Sequence, residues 1–186
     1  MSQANVVFVT GGASGIGRAV AERLTNEGSS VVVADSDVES GHETCESIAS
    51  AGGRVIFQEI DVRDRSSIRS AADNATSRLG GITGLVNCAG LVTMTSLADL
   101  TEEEWDLVID VNLKGTWLAT QEVARDIARA GGGSVVNIST IEAEVVVSSA
   151  GYCQVHYNAS KGGVKMLTKA LAVELAKFSI RVNAVA

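Results

Sequence analysis

The sequence predicts an α/β fold, a doubly wound parallel sheet of six strands in the order 3-2-1-4-5-6, and three observations carry that expectation. Short β-rich runs alternate with longer helical stretches along all 186 residues, as strands joined by helical crossovers do. Several of the short runs are apolar almost without a break, as a strand covered on both faces must be. The first of them runs straight into a glycine-rich turn and then a helix-competent segment, residues 18–27. The strands are expected at residues 5–10, 30–34, 54–61, 84–88, 134–139 and 180–184.

Composition narrows the function classes. With 46% hydrophobic residues the chain can bury one sizeable core, so residues 1–186 are expected to form one domain. A net charge of −7 without clustered Lys and Arg argues against a nucleic-acid surface. Apolar runs such as 31–34 and 145–147 fall far short of the roughly 20 residues that cross a bilayer. Residues 1–5 carry neither a basic segment nor a signal-type apolar core, so the expected location is the cytoplasm. Cys45, Cys88 and Cys153 are odd in number and widely spaced, which reads as buried thiols rather than a disulfide framework. His42 and His156 lack a second ligand at metal-binding spacing, and no metal is expected.

The clearest helix start is Thr101, which can cap, with Glu104 at the capping-box position. That helix is expected to run toward Ala130, where Gly131-Gly132-Gly133 ends it and releases the fifth strand. The acidic cluster Glu102 to Glu104 is explained by favourable charge at a helix N-terminus.

The turn after the first strand reads Thr10-Gly11-Gly12-Ala13-Ser14-Gly15-Ile16-Gly17. Missing side chains let backbone approach a pyrophosphate, while the following helix offers free N–H groups and partial positive charge, so an anionic cofactor is favoured. Asp35 ends the second strand, where a carboxylate can accept from adenosine ribose hydroxyls and would repel a 2′-phosphate. No Arg or Lys lies in residues 12–17 or 36–39 to offset that repulsion, so NAD is preferred over NADP. An ordinary turn role is the competing reading of Asp35.

The spacing of Gly11, Gly15 and Gly17 resembles the Thr-Gly-x-x-x-Gly-x-Gly signature of the short-chain dehydrogenase/reductase family, which implies a Rossmann fold. The resemblance implies cofactor contacts from Gly11, Ser14, Gly15, Ile16 and Gly17. Asp61-Val62 is similar to the family's adenine-contacting pair, and Asn87-Cys88-Ala89-Gly90 to the segment that shapes the wall beside it.

Tyr157-Asn158-Ala159-Ser160-Lys161 opens a helix expected to reach about Phe178, so Tyr157 and Lys161 share one face. Using a phenol of pKa about 10 as a base near neutrality needs a shift worth roughly 4 kcal/mol. One ammonium about 4 Å away at an effective dielectric of about 20 supplies energy of that order. The family resemblance makes Tyr157 the proton-transfer group and has Lys161 hold the nicotinamide ribose. It places the catalytic hydroxyl on Thr140, with Ser139, Ser148 and Ser149 as alternatives, because the interval to Tyr157 is longer than usual. Asn112, in Asp110-Val111-Asn112-Leu113-Lys114-Gly115, is similar to the helical Asn that holds a water on the proton path to Lys161. Tyr152 has His156 four residues on, not Lys, and reads as loop or pocket material.

Family members continue past the point matching Ala186 with a substrate-covering segment and a last strand, so the resemblance implies a chain short at its C-terminal side. Three functions are weighed: an NAD-dependent dehydrogenase acting on a secondary alcohol or ketone, a nucleotide-binding module without turnover, and a structural subunit associating near Trp117 and Leu171. The first leads because all four catalytic positions are filled. Apolar residues on more than one side of the helices at 101–130 and 157–178 suit helices that bury two faces, and the family resemblance implies that they pair in a homodimer or homotetramer. The expected substrate is a small-molecule alcohol or ketone, and the resemblance allows 3-oxoacyl, sugar, steroid or simple alcohol compounds.

Overall fold

The computed structural model describes residues 5–148 and 153–186. Its sheet is parallel throughout and runs β3-β2-β1-β4-β5-β6, with β1 Val6–Thr10, β2 Ser30–Asp35, β3 Arg54–Glu59, β4 Gly84–Asn87, β5 Gly133–Ile138 and β6 Ile180–Val185. The expected order therefore holds. Two strand ends shift in a way that matters: β2 extends to Asp35, and β3 stops at Glu59, leaving Asp61 beyond the sheet.

Alternation along β1 sorts its side chains to two faces. Val6 and Phe8 join the larger core with Ile68, Ala72, Leu118, Val123 and Ile127, under α3 (Arg65–Leu79) and α5 (Gly115–Arg129). Val7 and Val9 face the other way, packing with Ala21 of α1 (Gly15–Asn26) and Ile48 of α2 (Val38–Ser50). Because both faces are covered, β1 is buried from end to end.

Thr101 caps α4 (Glu102–Ile109), its side chain accepting from the Glu104 N–H at 3.2 Å. The other half of the capping box is not made: the Glu104 carboxylate accepts from Thr95 Oγ1 at 2.5 Å instead. Nor is the expected helix from 101 to 130 one uniform α-helix. A π-turn at Asp110–Lys114 separates α4 from α5, with Asn112 buried in it. Gly131 and Gly132 then take φ of 98° and 117°, which end α5 as expected.

The last long helix, α6 (Val155–Leu175), begins two residues before Tyr157 and ends in a 3-10 turn at Ala176–Phe178. Among the described residues no helix is long and apolar enough to cross a membrane.

Candidate active site

The strand order reverses between β1 and β4, and a cleft of about 490 Å3 opens there, at the C-terminal ends of the strands. Gly11, Ser14, Gly15, Ile16, Gly17, Asp35, Asp61, Val62, Ala89 and Gly90 all line it, so ten of the expected cofactor-binding residues meet in one place.

The glycines are required by contacts rather than by composition. A Cβ on Gly17 would sit 2.0 Å from the Gly11 carbonyl oxygen, and one on Gly11 would sit 2.7 Å from Ala89 backbone. Gly15, at φ 49°, faces open space on the cleft side. Ser14 is the N-cap of α1 yet makes no side-chain capping hydrogen bond, and Ile16 is 61% exposed beside it. A bare glycine turn, an uncommitted hydroxyl, an apolar side chain in the open and a helix N-terminus fit a dinucleotide's diphosphate.

Asp35 has a second occupation that the sequence suggested only as a competing reading. Its Oδ2 accepts from the Ala13 N–H at 3.0 Å and its Oδ1 from the Asp37 N–H at 3.1 Å. Thr44 Oγ1 donates to the Ala13 carbonyl at 3.0 Å, so the turn is held from both sides. Each carboxylate oxygen keeps accepting capacity for a ribose hydroxyl.

Arg63 also lines the cleft, although it lies outside residues 12–17 and 36–39, which hold no Arg or Lys. Its guanidinium grips Asp61 through both oxygens, at 2.7 to 3.0 Å, and holds that carboxyl below its ordinary range. Asn87 departs from expectation in the opposite direction. It does not line the cleft; its Nδ2 donates to Thr120 Oγ1 at 3.1 Å and Asn137 Oδ1 at 2.8 Å. Asn137 in turn donates to Thr168 Oγ1 at 2.9 Å. These buried amides form a polar seam from α5 across β4 and β5 to α6, which fixes α6 from beneath.

Gly90 joins the cleft to α6: a Cβ there would lie 3.2 Å from Asn112 Oδ1 and 3.6 Å from Lys161 Nζ. The Asn112 side chain clamps the loop after β4, accepting from the Leu91 N–H and donating to the Leu91 carbonyl, both at 2.8 Å, and donating to Ser160 Oγ at 3.1 Å. Lys161 is buried, and burial holds its ammonium below the ordinary lysine range. Its Nζ donates to the Ile138 carbonyl at 2.8 Å and lies 5.8 Å from the centre of the Tyr157 ring.

Thr140 lies close enough to the Tyr157 phenol to bear on its ionisation. Burial raises the phenol above its ordinary pKa, the Glu142 carboxylate raises it further, and hydrogen bonding from Thr140 pulls the other way. The Lys161 ammonium stands behind the ring while donating to the Ile138 carbonyl. Of the alternative hydroxyls, Ser139 lies where its N–H pairs with Val185 at 2.7 Å; Ser149, like Tyr152, lies outside the described residues. His156, for which no metal role is expected, is fully buried with Nε2 2.6 Å from Thr93 Oγ1.

The chain matches the family described as short chain dehydrogenase over residues 5–186. It belongs to the short-chain dehydrogenase family. This short-chain dehydrogenase is 37% identical over 180 residues to cyclopentanol dehydrogenase of Comamonas testosteroni, covering 97% of this chain and 70% of that one. It is 37% identical over 184 residues to 3-oxoacyl-[acyl-carrier-protein] reductase of Thermotoga maritima, covering 99% and 73%. Among solved structures, actinorhodin polyketide ketoreductase with NADPH superposes with a TM-score of 0.93 at 34% identity, over all of this chain and 71% of that one. The short-chain dehydrogenase is thus an oxidoreductase of a family that binds a nicotinamide cofactor.

Proposed function

We propose that the chain is an NAD-dependent oxidoreductase that moves a hydride between a nicotinamide and a small or medium secondary alcohol or its ketone. The observation that carries this reading is the position of Lys161 Nζ, 5.8 Å from the centre of the Tyr157 ring and 3.6 Å from where a Cβ on Gly90 of the glycine-turn cleft would lie. A nicotinamide bound there supplies the hydride donor or acceptor.

Thr140 holds the substrate oxygen, and Tyr157 exchanges a proton with it. A phenol pushed above its ordinary pKa stays protonated near neutrality, which suits proton donation to an alkoxide during ketone reduction. In alcohol oxidation the same phenol must first lose its proton. Lys161 supplies a positive charge behind the ring, and Asn112 positions Leu91 and Ser160 around it. Asp35 beside the glycine turn supports NAD over NADP, since a carboxylate disfavours a 2′-phosphate. Arg63 bears on the same choice, but both Asp61 oxygens already hold it.

Exposed Trp117, Met166 and Val173 on α5 and α6 support a homodimer or homotetramer, which light scattering tests. Three free cysteines suit a reducing compartment and hence the cytoplasm. Calorimetric titration should give tighter binding of NAD than of NADP. Tyr157→Phe should lower kcat by about 10²- to 10⁴-fold while NAD affinity stays within a few-fold. Equal activity of the variant, or no NAD binding by the parent, overturns the reading.

A further inference from the structure

The substrate side of the site is formed by two loops, and their chemistry is uneven. Thr140 leads into a 3-10 turn, Ile141–Ala143, that packs against the first turns of α6. Ile141, Val145 and Val146 are exposed on this loop, and Val92 and Met94 are exposed on the loop after β4. The second loop is tied to the start of α6 by Thr93 to His156 at 2.6 Å and by Gln154 Nε2 to the Met94 sulfur at 3.1 Å. Both apolar loops therefore flank the turn that presents Tyr157.

Two carboxylates interrupt this apolar wall. Glu144 is neutralised by an ion pair with Lys165. Glu142 is different: half-buried, it takes a hydrogen bond from Asn158 Nδ2 on Oε2 at 3.1 Å, and no ion pair to it occurs among the described residues. Asn158 directly follows Tyr157, so this contact fixes the carboxylate beside the residue proposed to move the proton. At that position its negative charge raises the Tyr157 phenol above the ordinary range, after the larger effect of burial. Lys161 is buried on the Ile138 carbonyl and Lys165 is engaged by Glu144, so neither is a ready receptor for an anionic substrate.

The geometry points to Glu142 as the residue that selects the substrate: its carboxylate accepts a hydrogen bond from a second hydroxyl on a neutral, otherwise apolar alcohol or ketone, and it turns away substrates bearing a carboxylate there. An ionised carboxylate is an acceptor only, so it rewards a hydroxyl donor and repels another anion. This inference rests on the hydride-transfer reading above.

The test compares kcat/KM with NAD for cyclopentanol, its cis vicinal diol and its vicinal hydroxycarboxylate, in the parent protein, Glu142→Gln and Glu142→Ala. Ratios between substrates cancel any effect of Glu142 on Tyr157 ionisation, which acts on all three alike. The parent should favour the diol over cyclopentanol by about tenfold and disfavour the hydroxycarboxylate by a similar factor. Glu142→Ala should bring the diol ratio near one. Glu142→Gln should keep part of the diol preference, through its amide oxygen, while admitting the hydroxycarboxylate about tenfold better. Unchanged NAD affinity by calorimetry shows that both variants fold, because Glu142 does not line the cofactor cleft. Parent turnover with ratios near one, or ratios unmoved by Glu142→Ala, overturns the inference and leaves the hydride-transfer reading standing. NAD binding by the parent with no turnover of any of the three sinks both.

Discussion

Between Gly11 and Gly17 the cleft is built from backbone, while around Tyr157 it is built from side chains that reach across the sheet. In the first region, the turn is shaped by what is missing: a Cβ at Gly17 would press on the Gly11 carbonyl, and one at Gly11 on Ala89. In the second, position depends on what is present: Asn112 on Leu91, Thr93 on His156, Asn158 on Glu142 and Lys161 on Ile138. A backbone cradle restricts residue type at each position and leaves a mark in the sequence. A side-chain constellation joins residues far apart in the chain, and many residue types satisfy it.

The sharpest way to break the first region is Gly17→Ala. The added methyl meets backbone that cannot swing aside, so stability should fall by about 1–3 kcal/mol, with NAD affinity lost more than proportionately. Thermal melts read alongside NAD titration check this. An unchanged NAD affinity would mean that the turn does not hold the cofactor.

Thr93→Val attacks the second region alone. It leaves the buried Nε2 of His156 without its partner, and the melting temperature should drop by an amount equivalent to roughly 1–3 kcal/mol. NAD affinity should stay within a few-fold. Equal loss in both measurements would show that the two regions are one cooperative unit.

Smaller effects separate them by pH. Since burial and Glu142 hold the phenol above its ordinary pKa, alcohol oxidation should climb as pH rises while ketone reduction falls. Removing the negative charge in Glu142→Gln makes the phenolate easier to form. The acid limb of oxidation should therefore move to lower pH, by less than about one unit. A limb that moves upward, or follows the same curve in Tyr157→Phe, would assign the titration to another group.

This contrast explains what was legible in the sequence. The strand order, the glycine turn and Asp35 could be read because alternating runs and steric necessity are local. The Tyr157 to Lys161 spacing was readable for the same reason, being four residues on one helix. Arg63 was missed because its approach to the cleft follows from where β3 stops, at Glu59 rather than Asp61. Asn87 sits in a motif that suggested the cleft wall, but it is an in-facing strand residue whose amide is drawn into the seam with Asn137 and Thr120. Glu104 was assigned to a capping box by its neighbours, yet Thr95 on another segment claims its carboxylate. That the Lys161 amine also donates to the carbonyl at the end of β5 was not legible, because proximity along a helix says nothing about a strand that pairs with it in space.

The π-turn at Asp110–Lys114 holds one residue more than an α-helical path would need. Winding this segment into regular α-helix with every residue kept would rotate α4 relative to α5 by about 100°. Val108 below the turn and Leu118 above it are both buried, so such a rotation would pull one of them from its packing or swing Asn112 off Leu91. The irregular turn thus acts as a phase adjuster, letting one continuous rod satisfy the sheet at one end and the reaction chamber at the other.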